Sequence, residues 1–435
     1  MKQSKYNHII EHKGTYYLYN ILSTAIVELD NRCLEILKKC DFEQFSKEER
    51  EMLYRNHIII EDDLDEAEEF LYHYNSIRFS RNAKILTLIF IPTYNCNLAC
   101  PYCIQGGNKP LAKMSRDQID AVIKFARTQV KQHSAKQINC ILFGGEPMMV
   151  KSDIVYISDN INEIANEYNC ATNFSITSNF TLLDDSMIDL IRKYNMIVQV
   201  SIDGIKQEHD KRRITHSKKG TYDIILNNLK KMKEKGLKDN INLRLNVDVD
   251  NLNDAKDMLE NVKDFAGQLY FGFLTFNKGK NDSFETSCVE ECDYSNINVS
   301  VFDKLLRDNG IEVPHHFGKE SPCSLNSEMK FIVDYKLDVY KCELFIGREE
   351  AKVGKIDLNG NFIPNGNFYH QMNHSPIKHK ECVECKMLPL CASGCVAKTN
   401  IAKGKNINIL TEKNCMMTEN DLNIYLKDYI DNSIS

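Results

Sequence analysis

No stretch of this 435-residue chain approaches the ~18 consecutive apolar residues that a membrane-spanning helix needs. The opening segment, MKQSKYNHIIEHKG, lacks an apolar signal region. A secreted or membrane-embedded product is therefore not expected, and the expected location is the cytoplasm. A charge excess is missing too. Lys plus Arg number 55 against 61 for Asp plus Glu, a formal net charge of -6, which sets up no field for nucleic acid or an anionic membrane. There is no fixed-length repeat, low-complexity tract or long charge run. With 43% hydrophobic residues, the chain is not disordered, collagen-like or a pure coiled coil. What remains is a globular chain long enough for two or three domains.

Cysteine is abundant. Sixteen are present, three between positions 96 and 103 and five between 382 and 415. In a reducing compartment so many thiols are not expected to pair as disulfides. Tight clustering argues instead for metal ligation. Cys33, Cys40, Cys140 and Cys170 are scattered and read as small buried hydrophobes.

Residues 1–80 read as a small separate module. Short strands are expected over 15–19 and 25–29, helices over 31–40 and 46–56, another strand at 57–60 and a charged helix after it. From residue 84 the rhythm changes to strand then helix. Strands are expected at 85–91, 140–143, 174–177, 197–201, 242–247 and 268–273, with amphipathic helices between them. Ser115 and Gln118 make a capping box for the first of these helices. Thr221 is placed to cap the fourth, which Gly236 ends. Such units imply a parallel sheet with right-handed crossovers, and their number fits a partial (β/α)6 barrel of TIM type better than a doubly wound sheet or a whole barrel. In either architecture ligands sit at the carboxyl ends of the strands. The barrel covers 84–276. The stretch 277–320 reads as a bridging region, 321–420 as a cysteine-rich domain and 421–435 as a C-terminal helix or tail.

Cys96, Cys100 and Cys103, spaced C-x3-C-x2-C, directly follow the first barrel strand. Iron–sulfur clusters usually take four thiolates. Three on one loop leave an iron open to bind and activate a substrate. A structural zinc site would want a second cysteine pair close by in sequence, and none is there. Gly144, Gly145, Glu146 and Pro147 follow the second strand: two glycines that let backbone approach a ligand and a carboxylate suited to an ammonium group. Thr177, Ser178 and Asn179 end the third strand. Ser201 ends the fourth, and Arg213, a forked carboxylate binder, follows twelve residues later. Asn246 ends the fifth.

This set resembles the radical S-adenosylmethionine (SAM) enzymes. The resemblance implies that Cys96, Cys100 and Cys103 hold a 4Fe–4S cluster, with SAM chelating the fourth iron through its amino and carboxylate groups. One electron would then cleave SAM to methionine and a 5′-deoxyadenosyl radical. Tyr102 would lie beside the adenine. Gly144, Gly145, Glu146 and Pro147 would bind the amino group, and Ser178 and Asn179 the ribose. Ser201 and Arg213 would meet the carboxylate and sugar. An electron donor such as flavodoxin or ferredoxin is implied. No catalytic acid or base is identified. Asp203, His209, Asp210 and Asp248 merely lie near motif positions, and such residues are more often hydrogen-bond partners.

Cys382, Cys385, Cys391 and Cys395 give C-x2-C-x5-C-x3-C, with Cys415 beyond and Cys323 and Cys342 before. Seven cysteines suffice for two metal sites, structural zinc included. The spacing resembles the SPASM domain of radical SAM enzymes that modify peptides. By that resemblance Cys382, Cys385, Cys391 and Cys415 take a distal auxiliary 4Fe–4S cluster. Cys323, Cys342 and Cys395 take a proximal one, making three clusters in all. Gly354 fits the family's glycine, but the expected cysteine five residues later is Asn359. The proximal cluster is then left with an iron open to a substrate cysteine, or is completed by Asn359, water, Cys288 or Cys292.

Enzymes of this type often begin with a winged-helix-like module whose strand edge takes the leader of a precursor peptide, and 15–40 loosely resembles one. A packing extension over the barrel is the alternative. The expected partner is a ribosomal precursor peptide, with no nucleic acid and no membrane. The expected reaction is hydrogen abstraction followed by crosslinking, first a Cys thioether of sactipeptide or ranthipeptide type, second a carbon–carbon bond. Anaerobic sulfatase maturation, which oxidises Cys or Ser to formylglycine, is disfavoured because those enzymes start their barrel near the chain start, and here about 80 residues precede it. A redox-sensing iron–sulfur or zinc scaffold is the non-enzymatic alternative, and the motifs at the strand ends argue against it.

Overall fold

The strand–helix alternation from residue 85 becomes one parallel sheet in the computed structural model, preceded by a smaller α+β unit. Residues 1–81, 84–103, 105, 111–248, 250–273, 299–313, 323–392, 394–395 and 418–433 are described. Cys288, Cys292 and Cys415 lie outside these residues, and the bridging region is described only over 299–313.

In the N-terminal unit β1 (Lys2–Gln3), β2 (Asn7–His12), β3 (Thr15–Asn20) and β4 (Ile26–Leu29) are followed by α1 (Asn31–Lys39), α2 (Lys47–Arg55), β5 (Ile59–Ile60) and α3 (Glu66–Ser76). β2, β3 and β4 form an antiparallel meander in that order, and β1 pairs with β5. β2 is an addition to the sequence expectation. The meander is apolar on both faces because both are covered. Leu18 and Leu29 pack on Leu34, Leu37 and Leu53 from the helices. Ile10 and Tyr19 face the other way, onto Phe70 of α3 and onto Leu388, Leu422 and Leu426 from the far end of the chain. Cys40 is a correction. It is exposed, because it takes the left-handed position that closes α1, at φ 53°, and is not a core residue.

Strands β6 (Ile85–Phe90), β7 (Gln137–Leu142), β8 (Ala171–Ser178), β9 (Ile197–Ile202), β10 (Ile241–Val247) and β11 (Gln268–Phe273) lie side by side in chain order, each parallel to its neighbours. A doubly wound sheet reverses its order at a switch point. This one does not, so the architecture is the partial barrel. Crossovers of one hand put the helices on one face: α4 (Arg116–His133), α5 (Lys151–Tyr168), α6 (Asp185–Tyr194), α7 (Lys206–Arg212), α8 (Tyr222–Glu234) and α9 (Ala255–Val262). Leu88, Leu142 and Leu243 meet Val122, Ile157 and Leu229 there. Both halves of the Ser115–Gln118 capping box are formed. Thr221 does not cap α8 with its side chain. Its hydroxyl donates to Arg213 O at 2.7 Å, and Asp210 Oδ1 takes the Tyr222 N–H at 2.9 Å instead.

The sheet does not stop at the barrel. β12 (Lys330–Val333) adds parallel to the free edge of β6, and β13 (Asp338–Tyr340), β14 (Gly354–Ile356) and β15 (Phe362–Pro364) continue it antiparallel, ten strands in all. Cys323 and Cys342 flank the β12–β13 hairpin. Asn359 lies in the β14–β15 turn, its N–H bonded to Asp357 Oδ1. The register that pairs Val339 with Gly354 sends Cys342 and Asn359 to opposite ends of the ribbon, on the order of 25 Å apart at ~3.4 Å per residue. Gly360 seats that turn on α4, where a Cβ would stand 2.7 Å from Lys124 Cβ. Asn359 is therefore not a ligand position beside Cys342, which corrects the sequence expectation.

Candidate functional site

The loop carrying Cys96, Cys100 and Cys103 leaves the carboxyl end of β6 and is held from three sides. Gly144 and Gly145 press against it. A Cβ would stand 2.4 Å from Thr93 O on Gly144 and 2.2 Å from Tyr94 O on Gly145. With no side chains in the way, Gly145 N–H donates to Thr93 O at 3.1 Å and Glu146 N–H to Asn95 O at 2.9 Å. From β8, Asn179 Nδ2 donates to Asn97 Oδ1 at 2.8 Å and lies 3.7 Å from Cys96 Sγ. From the segment after α7, Ile214 O accepts Ala99 N–H at 2.7 Å, and His216 donates to Cys96 O at 2.9 Å.

Glu146 is fully buried. Its Oε1 accepts from Met148 N–H at 2.9 Å and from the Ser178 hydroxyl at 2.8 Å, and its Oε2 from Asn179 N–H at 2.7 Å. Burial raises its carboxyl above the ordinary range, against the pull of these donors. A carboxylate has about four acceptor sites, so Oε2 keeps capacity for one more donor. Pro147 opens the short helical turn that follows.

Tyr102 is not free-standing. Its hydroxyl donates to buried Asp203 and accepts from Arg213 at 2.9 Å. Asp203 also accepts from Asn246 Nδ2 at 2.8 Å and lies 3.6 Å from Arg213. Burial works against the Asp203 charge, but Arg213 and then His209 hold its carboxyl below the usual range. Ser201 sits one residue from the end of β9, half-buried on the lumen side. The other titratable candidates have structural duties. His209 accepts the Asp203 N–H at 3.3 Å and meets Thr221 Oγ1 at 3.2 Å. Asp210 serves α8 and lies 3.0 Å from Lys206. Asp248 pairs with Arg212 at 2.9 Å.

Burial pushes the Cys100 thiol up to about 11. Arg213 opposes this, and Asp203, Cys103 and Cys96 add to it, so the three sulfurs stand within one another's field. Among the described residues no three His, Cys, Asp or Glu side chains close on a single ion. A cube of four irons holds its thiolates farther apart than one ion does, and its binding deprotonates them. Arg213 Nε is buried without a hydrogen-bond partner, an orphaned donor at the loop carrying the triad. The donor set and this unmet group fit a cluster with a carboxylate-bearing ligand beside it.

In the C-terminal region Cys323, Cys342 and Cys395 pack around one apolar cluster, with Ile89, Ile91, Tyr94 and Phe345. Cys382 and Cys385 pack in another, against Tyr6 and Phe70 of the N-terminal unit. Lys341 clamps the β12–β13 hairpin before Cys342: its Nζ donates to Ser327 O at 2.9 Å and Lys330 O at 2.7 Å. Sequence reasoning missed this lysine, Asn97 and Arg244. Only Arg244 carried a signal, a charge alternating with Leu243 and Leu245 in an otherwise apolar strand.

Residues 90–262 match the Radical SAM superfamily. A cysteine-type anaerobic sulfatase-maturating enzyme of Clostridium novyi is 26% identical over 361 residues, 76% of this chain and 93% of that protein. Among solved structures, anSMEcpe with bound AdoMet and Kp18Cys peptide superposes with a TM-score of 0.58 at 20% identity, covering 80% of this chain and 97% of that one. Streptococcus suis SuiB bound to precursor peptide SuiA gives 0.54 at 16% identity, covering 96% of this chain and all of that one (100%). Residues 90–262 are therefore a radical SAM domain.

Proposed function

We propose that this radical SAM enzyme matures a ribosomally made precursor peptide, abstracting hydrogen from it and closing a crosslink, with a Cys thioether as the first assignment and a carbon–carbon bond as the second. One observation carries the choice of peptide over sulfatase. The likeness to SuiB extends over 96% of the chain, the N-terminal unit included, whereas the likeness to anSMEcpe extends over 80%. Oxidation of a cysteine to formylglycine is kept as the second reading, favoured by the 26% identity to the sulfatase-maturating enzyme.

In this reading Cys96, Cys100 and Cys103 hold the SAM-binding 4Fe–4S cluster. Glu146 receives the SAM ammonium, Arg213 its carboxylate, and Ser178, Asn179, Ser201 and Tyr102 the nucleoside. The bound cofactors supply a 5′-deoxyadenosyl radical. The chain's own residues orient SAM and shield the site, since Glu146, Asp203 and Asn246 are buried. Two auxiliary clusters are assigned to Cys323, Cys342 and Cys395, and to Cys382, Cys385, Cys391 and Cys415, with electrons from a flavodoxin or ferredoxin.

The N-terminal unit is assigned to the leader. β4 is an open edge of its meander. Asn20 N–H bonds Ala25 O, so by the antiparallel alternation Ile26 and Glu28 turn their N–H groups outward, where a peptide strand can add.

The test is anaerobic reconstitution with iron and sulfide, then SAM and dithionite. The wild type forms 5′-deoxyadenosine and Cys96→Ala forms none. Mass spectrometry of a co-expressed Cys-containing precursor separates the products: loss of two hydrogens with sulfur retained marks a crosslink, and loss of sulfur marks formylglycine.

A further inference from the structure

Arg244 occupies the middle of β10, in register with Ser201 on β9 and Tyr270 on β11. Leu243 and Leu245 on either side are fully buried in the helix-facing core. The pleat therefore turns Arg244, like Asn246, into the barrel lumen. Its side chain leans toward the carboxyl ends of the strands. It crosses Gly272, the register partner of Asn246, where a Cβ would stand 2.3 Å from Arg244 Nε and 3.1 Å from Cζ. Any other residue at 272 would block that path.

The guanidinium is close enough to Tyr270 to oppose the rise that burial imposes on its phenol. Yet Arg244 Nε is buried with no hydrogen-bond partner. Among the described residues, neighbouring Arg212 is paired with Asp248 and Arg213 with Asp203, and no ion pair includes Arg244. An arginine stays protonated, and a buried donor of such a cation left without an acceptor is costly. The lumen is thus shaped for an anion that the described chain does not supply.

SAM brings one carboxylate, and Arg213 at the mouth, with its own unmet Nε, is placed for it. A second cation deeper in the lumen calls for a second carboxylate. We propose that Arg244 binds an Asp or Glu side chain of the peptide substrate and so selects acidic segments for the lumen. This rests on the peptide-maturase reading and deepens it.

The test uses full-length reconstituted protein with Arg244→Gln and Arg244→Lys. Arg244→Met, which keeps the apolar stem across Gly272, replaces the Gln variant if that does not fold. With SAM and dithionite alone, the variants form 5′-deoxyadenosine within about twofold of wild type. A fall beyond about tenfold would give Arg244 to SAM and overturn the proposal. Two pools of short synthetic Cys-containing peptides follow, identical except that Asp and Glu in one are Asn and Gln in the other. The acidic pool stimulates wild type and the Lys variant about tenfold more than the neutral pool, and the Gln variant responds alike to both, as loss of a charged hydrogen bond predicts. Equal responses of wild type to the two pools, none included, overturn the proposal. Wild type that forms no 5′-deoxyadenosine refutes the maturase reading instead.

Discussion

Glu146 joins two strand ends through three accepted hydrogen bonds. Replacing it by Gln turns one acceptor into a donor facing an N–H or hydroxyl. Glu146→Gln is expected to cost ~1–3 kcal/mol, the price of a buried mismatched polar group, and to abolish 5′-deoxyadenosine formation in the anaerobic assay. His209 makes a different prediction. It is buried, its Nδ1 is occupied by an N–H, and burial lowers its pKa from 6.5 to about 4. The unfolded chain therefore takes up a proton below pH 6.5 that the folded chain refuses. The stability this group contributes is complete above that pH and is lost as pH falls toward 4, by up to about 3 kcal/mol. His209→Asn should flatten the stability–pH curve over this window in denaturant titrations. Residue types and spacings made the triad and the Gly144–Glu146 motif legible beforehand. The Tyr102–Asp203–Arg213 contact was not, because it joins Tyr102 on the cysteine loop to the distant segment after β9 that carries Asp203 and Arg213.

Gly145 shows how one element sets another. Its missing Cβ lets the β7 end dock on the cysteine loop. Gly145→Ala is expected to push that loop outward, to cost about 1–3 kcal/mol as overpacking does, and to lower the iron bound per chain, read by iron analysis after reconstitution. At the β4 edge Glu28→Pro removes an outward N–H while sparing the bonds to β3. Binding of a precursor peptide, followed by fluorescence anisotropy, should weaken while the melting temperature stays. The barrel strands were legible because hydrophobic periodicity repeats six times. β12 was not. It has four residues, Lys330–Val333, too few for periodicity to register, and its identity as a strand comes from lying beside β6.

The two ends of the chain share a core. Tyr6, Ile10 and Phe70 pack with Cys382, Leu388, Leu422 and Ile430, and Lys5 Nζ donates to Val383 O at 2.9 Å. Deleting residues 1–78 therefore strips the wall of the Cys382–Cys385 segment as well as any leader-binding edge. The truncated protein is expected to melt earlier and to carry less iron than the full chain, so precursor affinity is better probed by Glu28→Pro. The sequence divided these parts into modules because composition changes along the chain. It gave no sign of their joint packing, which rests on apolar residues more than three hundred positions apart.

That joint packing bears on biosynthesis. While the ribosome is still translating the barrel, that side of the first meander lacks its native cover, since Leu422, Leu426 and Ile430 follow the barrel in the chain. The native packing of the opening strands therefore waits on a segment translated after the whole barrel, and the sealing around Cys382 and Cys385 waits with it.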